Sequence, residues 1–310
     1  MTPKASFDKR HKYTRMHFGW MRRQLRRWFD RNQRALLWRR EPREPYIVLV
    51  AETMLQQTQV ERVEAILPRF LEHFPTLDAL AGASRAEVIA AWQGLGYNRR
   101  AVHLHRCAQA IVSDHRGIVP DDYALLRRLP GIGDYTARAI AAFAYKRDVA
   151  VVDVNVRRVL SRFFAVQPTE TDLLPLPIVR EIAESVLPPG GGRWWNEALM
   201  DIGSLYCRRR APKCTDCPLA RRCASAGRMA PSASPPKHEP TYCGVPRRLW
   251  RGRLVELLRR HSMISVASCA QLLFGSASRR HVAWLERVVA QLQREGVIVS
   301  TADGRLDLPK

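Results

Sequence analysis

No apolar run in the 310-residue chain approaches the roughly 20 residues that cross a bilayer. The opening stretch, MTPKASFDKRHKYTRMHFGWMRRQLRRWF, is basic yet holds no apolar core of the secretory kind, so no export signal is expected. Cysteine is sparse and odd in number: seven, four of them crowded between 207 and 223. An odd count without a signal argues against a disulfide framework and for a reducing compartment. Acidic side chains are scarce too, 29 Asp plus Glu against 51 Lys plus Arg, a formal excess of +22. That excess speaks of partners rather than fold. A polyanion rewards dispersed cations by counterion release, which puts nucleic acid first. An anionic membrane surface is a poorer match, because the charges do not gather in one amphipathic segment. A merely basic soluble protein is the bland reading. Strand-like alternation is almost missing before residue 240, and the body reads as all-α.

What is present is helix. With 46% hydrophobic residues a packed core is expected. Residues 18–40 read as a basic helix broken by Pro42 and Pro45. Apolar residues at helical spacing predict helices at 46–58, 60–73, 84–92, 99–115, 122–128, 134–145, from Val154, and at 194–206. Residues 228–246, rich in Pro, Ser and Ala, predict a linker. Beyond it, helices near 247–261, 265–274 and 277–295 lead to two short alternating runs flanking Asp303-Gly304, a hairpin signal. Three helices and a hairpin suggest a winged helix; a small helical cap with a frayed tail is the alternative.

Three stretches carry candidate chemistry. In VLVAETMLQQTQV, Glu52 lies inside an apolar run, where a charged carboxylate is costly unless paired or protonated. Glu52, Gln56 and Gln59 at i, i+4, i+7 also fit an ordinary solvated helix face. In LPGIGDYTARAIAAFAY, Gly131 and Gly133 allow positive φ in a tight turn ahead of a helix start. The free N–H groups there suit a phosphate, although glycines also serve plain helical corners. In CRRRAPKCTDCPLARRC, Cys207, Cys214, Cys217 and Cys223 follow C-x6-C-x2-C-x5-C, interleaved with arginines and a lysine. Zinc more often shows two C-x2-C pairs, whereas iron–sulfur clusters accept unequal loops; spacing leaves both open. Cys107, Cys243 and Cys269 read as structural thiols.

Together LPGIGDYTA, VVDVNVRRVL and the cysteine tail resemble the helix-hairpin-helix DNA glycosylase superfamily, in the branch carrying a 4Fe–4S cluster. AETMLQQTQV and GLGYNRRA are most similar to its MutY-type adenine glycosylases, and the resemblance covers about residues 30–225. It implies a two-lobed helical fold over 1–227. A six-helix barrel would occupy about 46–145, and the N-terminal segment with 146–227 would form the iron–sulfur lobe. A winged-helix-like module at 247–310 would follow.

The resemblance also implies roles. Glu52 would face Asp153 across a cleft, its pKa raised by the apolar setting so that it donates a proton to the leaving base. Asp153, which could equally be a plain N-cap, would stay ionised and stabilise an oxocarbenium-like sugar. Asn155 would support the aspartate or a phosphate. Tyr135 stands where bifunctional endonuclease III-type relatives carry a lysine; without an amine, base release should proceed without strand cleavage. Gln56 and Gln57 would wedge into the duplex beside a flipped nucleotide, and Tyr97 would be an aromatic wedge near the opposite base, a core aromatic being the alternative. Gly131, Gly133 and Thr136 would meet the DNA backbone. Trp38 and Arg39 would line the base pocket, a core tryptophan being the alternative. The four cysteines would hold the 4Fe–4S cluster. The expected partner is double-stranded DNA with a mismatch or damaged base, met by a monomer at the nucleoid in the cytoplasm.

The chain departs from the family at its end, since 247–310 is too short and too helical for the Nudix-like domain of many MutY-type enzymes. The departure leaves open how oxidised guanine is sensed or whether the preferred mismatch differs; the expected reaction is hydrolysis at adenine opposite guanine or 8-oxoguanine. Excision of thymine or uracil opposite guanine is the alternative within the fold. A noncatalytic, cluster-containing DNA-binding protein is the alternative of another class.

Overall fold

A computed structural model describes residues 15–165, 173–228 and 239–310. Most of the expected linker, 229–238, lies outside the described residues, as does the basic start of the chain. Among the described residues are fourteen α-helices and two antiparallel two-stranded hairpins. No helix among them is long and apolar enough to cross a membrane. The chain falls into two compact units, Met1–Arg43 with Asp134–Pro235, and Glu44–Gly133 with Pro236–Lys310.

The first unit is built on α1 (Arg15–Asn32), α8 (Asp134–Phe143), α9 (Val154–Phe164), α10 (Leu176–Val186) and α11 (Gly192–Leu205). Val156, Val159, Leu160 and Phe163 fall at i, i+3, i+4, i+7 on α9 and are buried against Met21 and Leu25 of α1 and Trp195, Leu199 and Ile202 of α11. The expected helix over 18–40 ends at Asn32 and is followed by a separate 3-10 turn, Leu37–Arg39. Helix α8 belongs to this unit, so the division falls at Gly133 and not near residue 145.

The second unit holds α2 (Pro45–Leu55), α3 (Val60–His73), α4 (Leu77–Gly82), α5 (Arg85–Ala91), α6 (Arg99–His115) and α7 (Tyr123–Arg128). Pro45 opens α2 at its first turn, where a missing N–H costs nothing, instead of only breaking the preceding helix. Ser84 caps α5 in a reciprocal box with Glu87. Val63, Leu67 and Phe70 of α3 and Leu104, Ala108 and Ile111 of α6 are buried. Phe70 meets Trp92 edge-on with ring centroids 5.8 Å apart.

The same unit takes in the C-terminal segment. There β1 (Thr241–Tyr242) pairs with β2 (Val245–Pro246), inside the stretch expected as linker. Helices α12 (Arg247–Arg260), α13 (Val266–Phe274) and α14 (Arg279–Arg294) follow. Next, β3 (Val299–Ser300) pairs with β4 (Leu306–Asp307), and Ile264 bridges to Leu306 as a third strand position. Gly304, at φ +75, makes the turn. This is the three-helix-and-wing arrangement expected from the sequence. Helices α4 and α10 were not expected.

Candidate functional site

Helix α2 is buried on every side over Val48–Met54, and Glu52 sits in the middle of that run at 4% exposure. The solvated-face alternative is thereby removed. The helix ends at Leu55, so Gln59 is no longer on it, and Glu52 has almost no surface. The period-based expectation of helix to residue 58 fails because the chain turns sharply at Gln57, whose φ is +59.

Arg100 makes that turn possible, and its part was not anticipated from the sequence. Its buried guanidinium donates to the carbonyls of Thr53 (3.0 Å) and Met54 (2.6 Å) at the end of α2. It also donates to Thr58 Oγ1 (3.0 Å) and to the carbonyls of Leu95 and Gly96 (3.1 and 3.2 Å). One side chain thus closes the C-terminus of the Glu52 helix and ties it to the loop before α6. Burial lowers the Arg100 pKa to about 10, still far above neutrality. Its guanidinium also lies over the rings of Trp92 and Tyr97, 5.4 and 5.6 Å from their centroids. Tyr97 has φ +46 and is half exposed. Two non-glycine residues in left-handed conformations, Gln57 and Tyr97, therefore flank one arginine. Such strain persists only where surrounding bonds fix it, and it is common at functional positions.

The hairpin turn between α7 and α8 shows why Gly131 is glycine. Its φ is +78, and a Cβ there would lie 2.7 Å from His103 Cβ. Gly133 differs from expectation. It lacks a positive φ, and an added Cβ would meet nothing nearer than Arg127 Nη1 at 3.9 Å. Neither strain nor crowding demands a glycine there. Asp134 begins α8 with its carboxylate bonded to Arg138 (3.1 Å) and Arg180 (2.6 Å), so its charge is spoken for. Tyr135 is partly buried and Thr136 fully so. Gln56, Gln57, Tyr97, Gly131 and Gly133 share one open groove of about 1630 Å³ with residues of α12 and α14.

Asp153 is placed by other means. The extended segment before it is splinted by Asn196 of α11, whose side chain accepts from Val151 N and donates to the Val149 carbonyl, both at 2.9 Å. Asp153 then caps α9, accepting from Val156 N at 2.6 Å and from Asn155 Nδ2 at 2.8 Å. Asn155 Oδ1 in turn accepts from Arg158 Nη2 (2.7 Å), which also donates to the Gly203 carbonyl, while Arg158 Nε donates to the Cys207 carbonyl. Gly203 is glycine because a Cβ would lie 2.5 Å from Asn155 Cβ. Burial is the largest influence on Asp153 and raises its pKa above the ordinary aspartate value. The bonds from Val156 and Asn155 and the charge of Arg158 oppose that shift. The expectation of an effortlessly ionised cap is therefore too simple: the cap stabilises the anion, and desolvation works against it.

Trp38 and Arg39, expected at the base pocket, are held in the first unit. Trp38 is 6% exposed, and Arg39 forms a two-pronged pair with Asp201 (2.7 and 3.0 Å). Glu197 joins Arg43 beside it at 2.5 Å. This buried ion-pair network was not legible in the sequence.

Cys207, Cys214, Cys217 and Cys223 line one cavity with Arg162 and Lys213, and none is in a disulfide. Arg162 donates toward Cys207 Sγ at 3.6 Å and to the carbonyls of Arg208 and Arg209. Burial pushes the thiols of Cys217 and Cys223 up to about 12 and about 11, with the neighbouring cysteines adding to the shift. Deprotonation of the four together would need a multivalent cation among them. Among the described residues no group of three or more His, Cys, Asp or Glu side chains is placed to hold a metal ion, although the four cysteines line this one cavity.

The profile of the HhH-GPD superfamily of base excision DNA repair proteins matches residues 50–177. The chain is 39% identical over 297 residues to the adenine DNA glycosylase of Mycobacterium tuberculosis, covering 91% of each. It is 40% identical to that of Mycolicibacterium smegmatis, covering 92% of this chain and 94% of that one. The human adenine DNA glycosylase is 36% identical over 210 residues, of which the match covers 38%. Among solved structures, a thermostable thymine-DNA glycosylase superposes with TM-score 0.63 and 27% identity, over 68% of this chain and 97% of that one. An endonuclease III trapped on DNA superposes at 0.60 with 21% identity, over 69% and 97%, and so speaks for the fold.

Proposed function

Because the chain belongs to the HhH-GPD superfamily of base excision DNA repair proteins, we propose that it is a monofunctional DNA glycosylase that removes mispaired adenine. What carries adenine over thymine is the similarity to proteins named adenine DNA glycosylases along nine-tenths of both chains; the match to the thymine enzyme stops at 68% of this one.

In this reading the mismatched adenosine is turned out of the stack, since its glycosidic bond is shielded there. Glu52, buried on α2, gives a proton to a ring nitrogen of the departing adenine as the C1′–N9 bond breaks. Asp153, as the anion, offsets the positive charge left on the sugar. It also orients a water, whose oxygen bonds to C1′ and whose proton passes to the carboxylate or to solvent, leaving an abasic site. Asn155 holds the aspartate through its 2.8 Å bond. Tyr135 offers no amine, so no imine with the sugar forms and the strand stays whole. Gln56 and Gln57 fill the vacated place, Tyr97 wedges near the opposite base, and the turn at Gly131 and Gly133 with Thr136 takes a phosphate.

Cys207, Cys214, Cys217 and Cys223 fit a 4Fe–4S cluster, for which an all-thiolate ring with unequal loops is a suitable donor set. Bound there, the group supplies a fixed charge and a cross-link that sets the arginine-rich loop. Trp38 and Arg39 are the residues proposed for the base pocket on the resemblance alone; their burial and the Asp201 pair hold them in the first unit.

The test is a panel of duplexes carrying A·8-oxoguanine, A·G, T·G and U·G, each with and without alkali after incubation. Strand breaks only after alkali, and only with adenine, are expected. Product from T·G or U·G alone would replace adenine by pyrimidine; no product from any duplex would leave a binding protein.

A further inference from the structure

We infer that α12 of the C-terminal module binds the phosphate backbone of the DNA strand opposite the excised nucleotide. The inference rests on the glycosylase reading above for the identity of the two strands. Its physical basis is the groove of about 1630 Å³ in the second unit, one wall of which carries Gln57, Tyr97 and Gly131 and the other α12. That volume exceeds the roughly 300–1000 Å³ of small-molecule pockets and suits a polymer.

The groove's charge has one sign. Seven arginines line it against two glutamates. Both glutamates are already engaged: Glu256 accepts from Gln93, Arg259 and Arg260, and Glu295 from Arg251 and Gln291. Two arginines are left with little to hold them. Arg253 is exposed and lies over the Trp250 ring, 4.5 Å from its centroid, an arrangement that leaves in-plane N–H donors for another partner. Arg248 makes only a surface ion pair with Glu239, at 54% exposure, which a phosphate readily replaces. Leu249, between them, is 42% exposed on the same groove as the half-exposed Tyr97, an apolar surface suited to sugar faces.

This wall is fixed, not tethered. Arg259 donates to the Ile89 carbonyl (2.8 Å) and to Asn98 Oδ1 (3.3 Å), and Gln93 donates to Glu256 at 2.8 Å. Asn98 is the neighbour of Tyr97, so α12 is anchored one residue from an expected wedge. A winged helix ordinarily offers its third helix to DNA. Here only the far end of α14, Gln291–Glu295, reaches the groove, and α12 takes its place. With the extruded nucleotide gone toward Glu52, the nucleotide left beside Tyr97 belongs to the other strand.

The experiment measures binding of the full chain to a duplex with an uncleavable 2′-fluoroadenosine opposite guanine, across a salt series. Methylphosphonates replace single phosphates flanking either the adenosine or the guanine. R248A/R253A is compared with R279A/R287A, which removes the same charge from exposed positions of α14 outside the groove. R248A/R253A should weaken binding about tenfold or more and reduce the salt slope by about two, one unit per phosphate contact. It should also erase the penalty for methylphosphonates beside the guanine, while R279A/R287A stays within about twofold of wild type, matched in thermal melting. Equal losses in both variants, or a guanine-side penalty that persists in R248A/R253A, would overturn the proposal. Binding is read without turnover, so absence of adenine release from the cleavable duplex would defeat the glycosylase reading while leaving this comparison decisive.

Discussion

Glu52 and Asp153 are both carboxylates in helical surroundings, yet the fold places them by opposite means. Glu52 is carried in the middle of a helix that is buried over Val48–Met54. Asp153 stands at a helix start and is gripped by Val156, Asn155 and, through Asn155, Arg158. A group held by bonds is tuned by each donor aimed at it. Glu52 lies inside an apolar run, whereas Asp153 has donors that oppose the upward pull of burial on its pKa.

Replacing each by its amide breaks or sharpens that contrast. Glu52→Gln keeps the shape of α2 but has no proton to give; adenine release under single turnover should fall about 1000-fold with mismatch affinity kept. A variant as active as wild type would remove Glu52 from the chemistry. Asp153→Asn is the subtler change, because asparagine caps helices as well as aspartate does. Its turnover should fall about 100-fold while thermal stability barely moves. Loss of both together would reduce Asp153 to a structural cap.

The bracing of Glu52's helix end offers a third handle. Arg100 serves four carbonyls and a hydroxyl from a buried position. Arg100→Ala should cost about 3 kcal/mol in denaturant unfolding, since the carbonyls are left without a donor. Arg100→Lys should recover little, because an ammonium cannot span both loops. Gly131→Ala should be milder: positive φ costs about 1 kcal/mol, and the clash with His103 should cut duplex affinity about tenfold. Undiminished binding by that variant would mean the hairpin does not touch the backbone.

What the sequence made legible was local. Helices α3 and α6 run over the residues their periodicity indicates, Asp153 caps as its place before VNVRRVL suggests, and the four cysteines share a cavity as their spacing implies. Partnerships across long separations were not legible. Arg100 meets Thr53 across 47 positions, Asn196 splints Val151 across 45, and Arg39 finds Asp201 across 162. Nothing in a window of a dozen residues says which arginine will be buried or whose carbonyls it will serve. The same limit explains the overlong reading of α2. The reading carried the helix on through Gln56, Gln57 and Thr58, but Gln57 turns left-handed where Arg100, 46 positions from Met54, holds the carbonyls at the helix end.

The smallest expected effect tests the balance at Asp153 itself. Burial raises its pKa in the folded chain, so the folded state keeps the proton to higher pH than the unfolded state does. Below the unfolded value both states are protonated and the group contributes nothing. As pH rises from there through the raised folded value, the unfolded chain releases its proton first and stability declines. Above the folded value the cost is constant. Asparagine does not titrate, so the stability of wild type relative to Asp153→Asn should fall as pH climbs through this window and then level off. Chemical denaturation from pH 3 to pH 8 would show it. A difference that grows in favour of wild type would mean that Val156, Asn155 and Arg158 outweigh burial, making Asp153 an aspartate whose anion the fold stabilises outright.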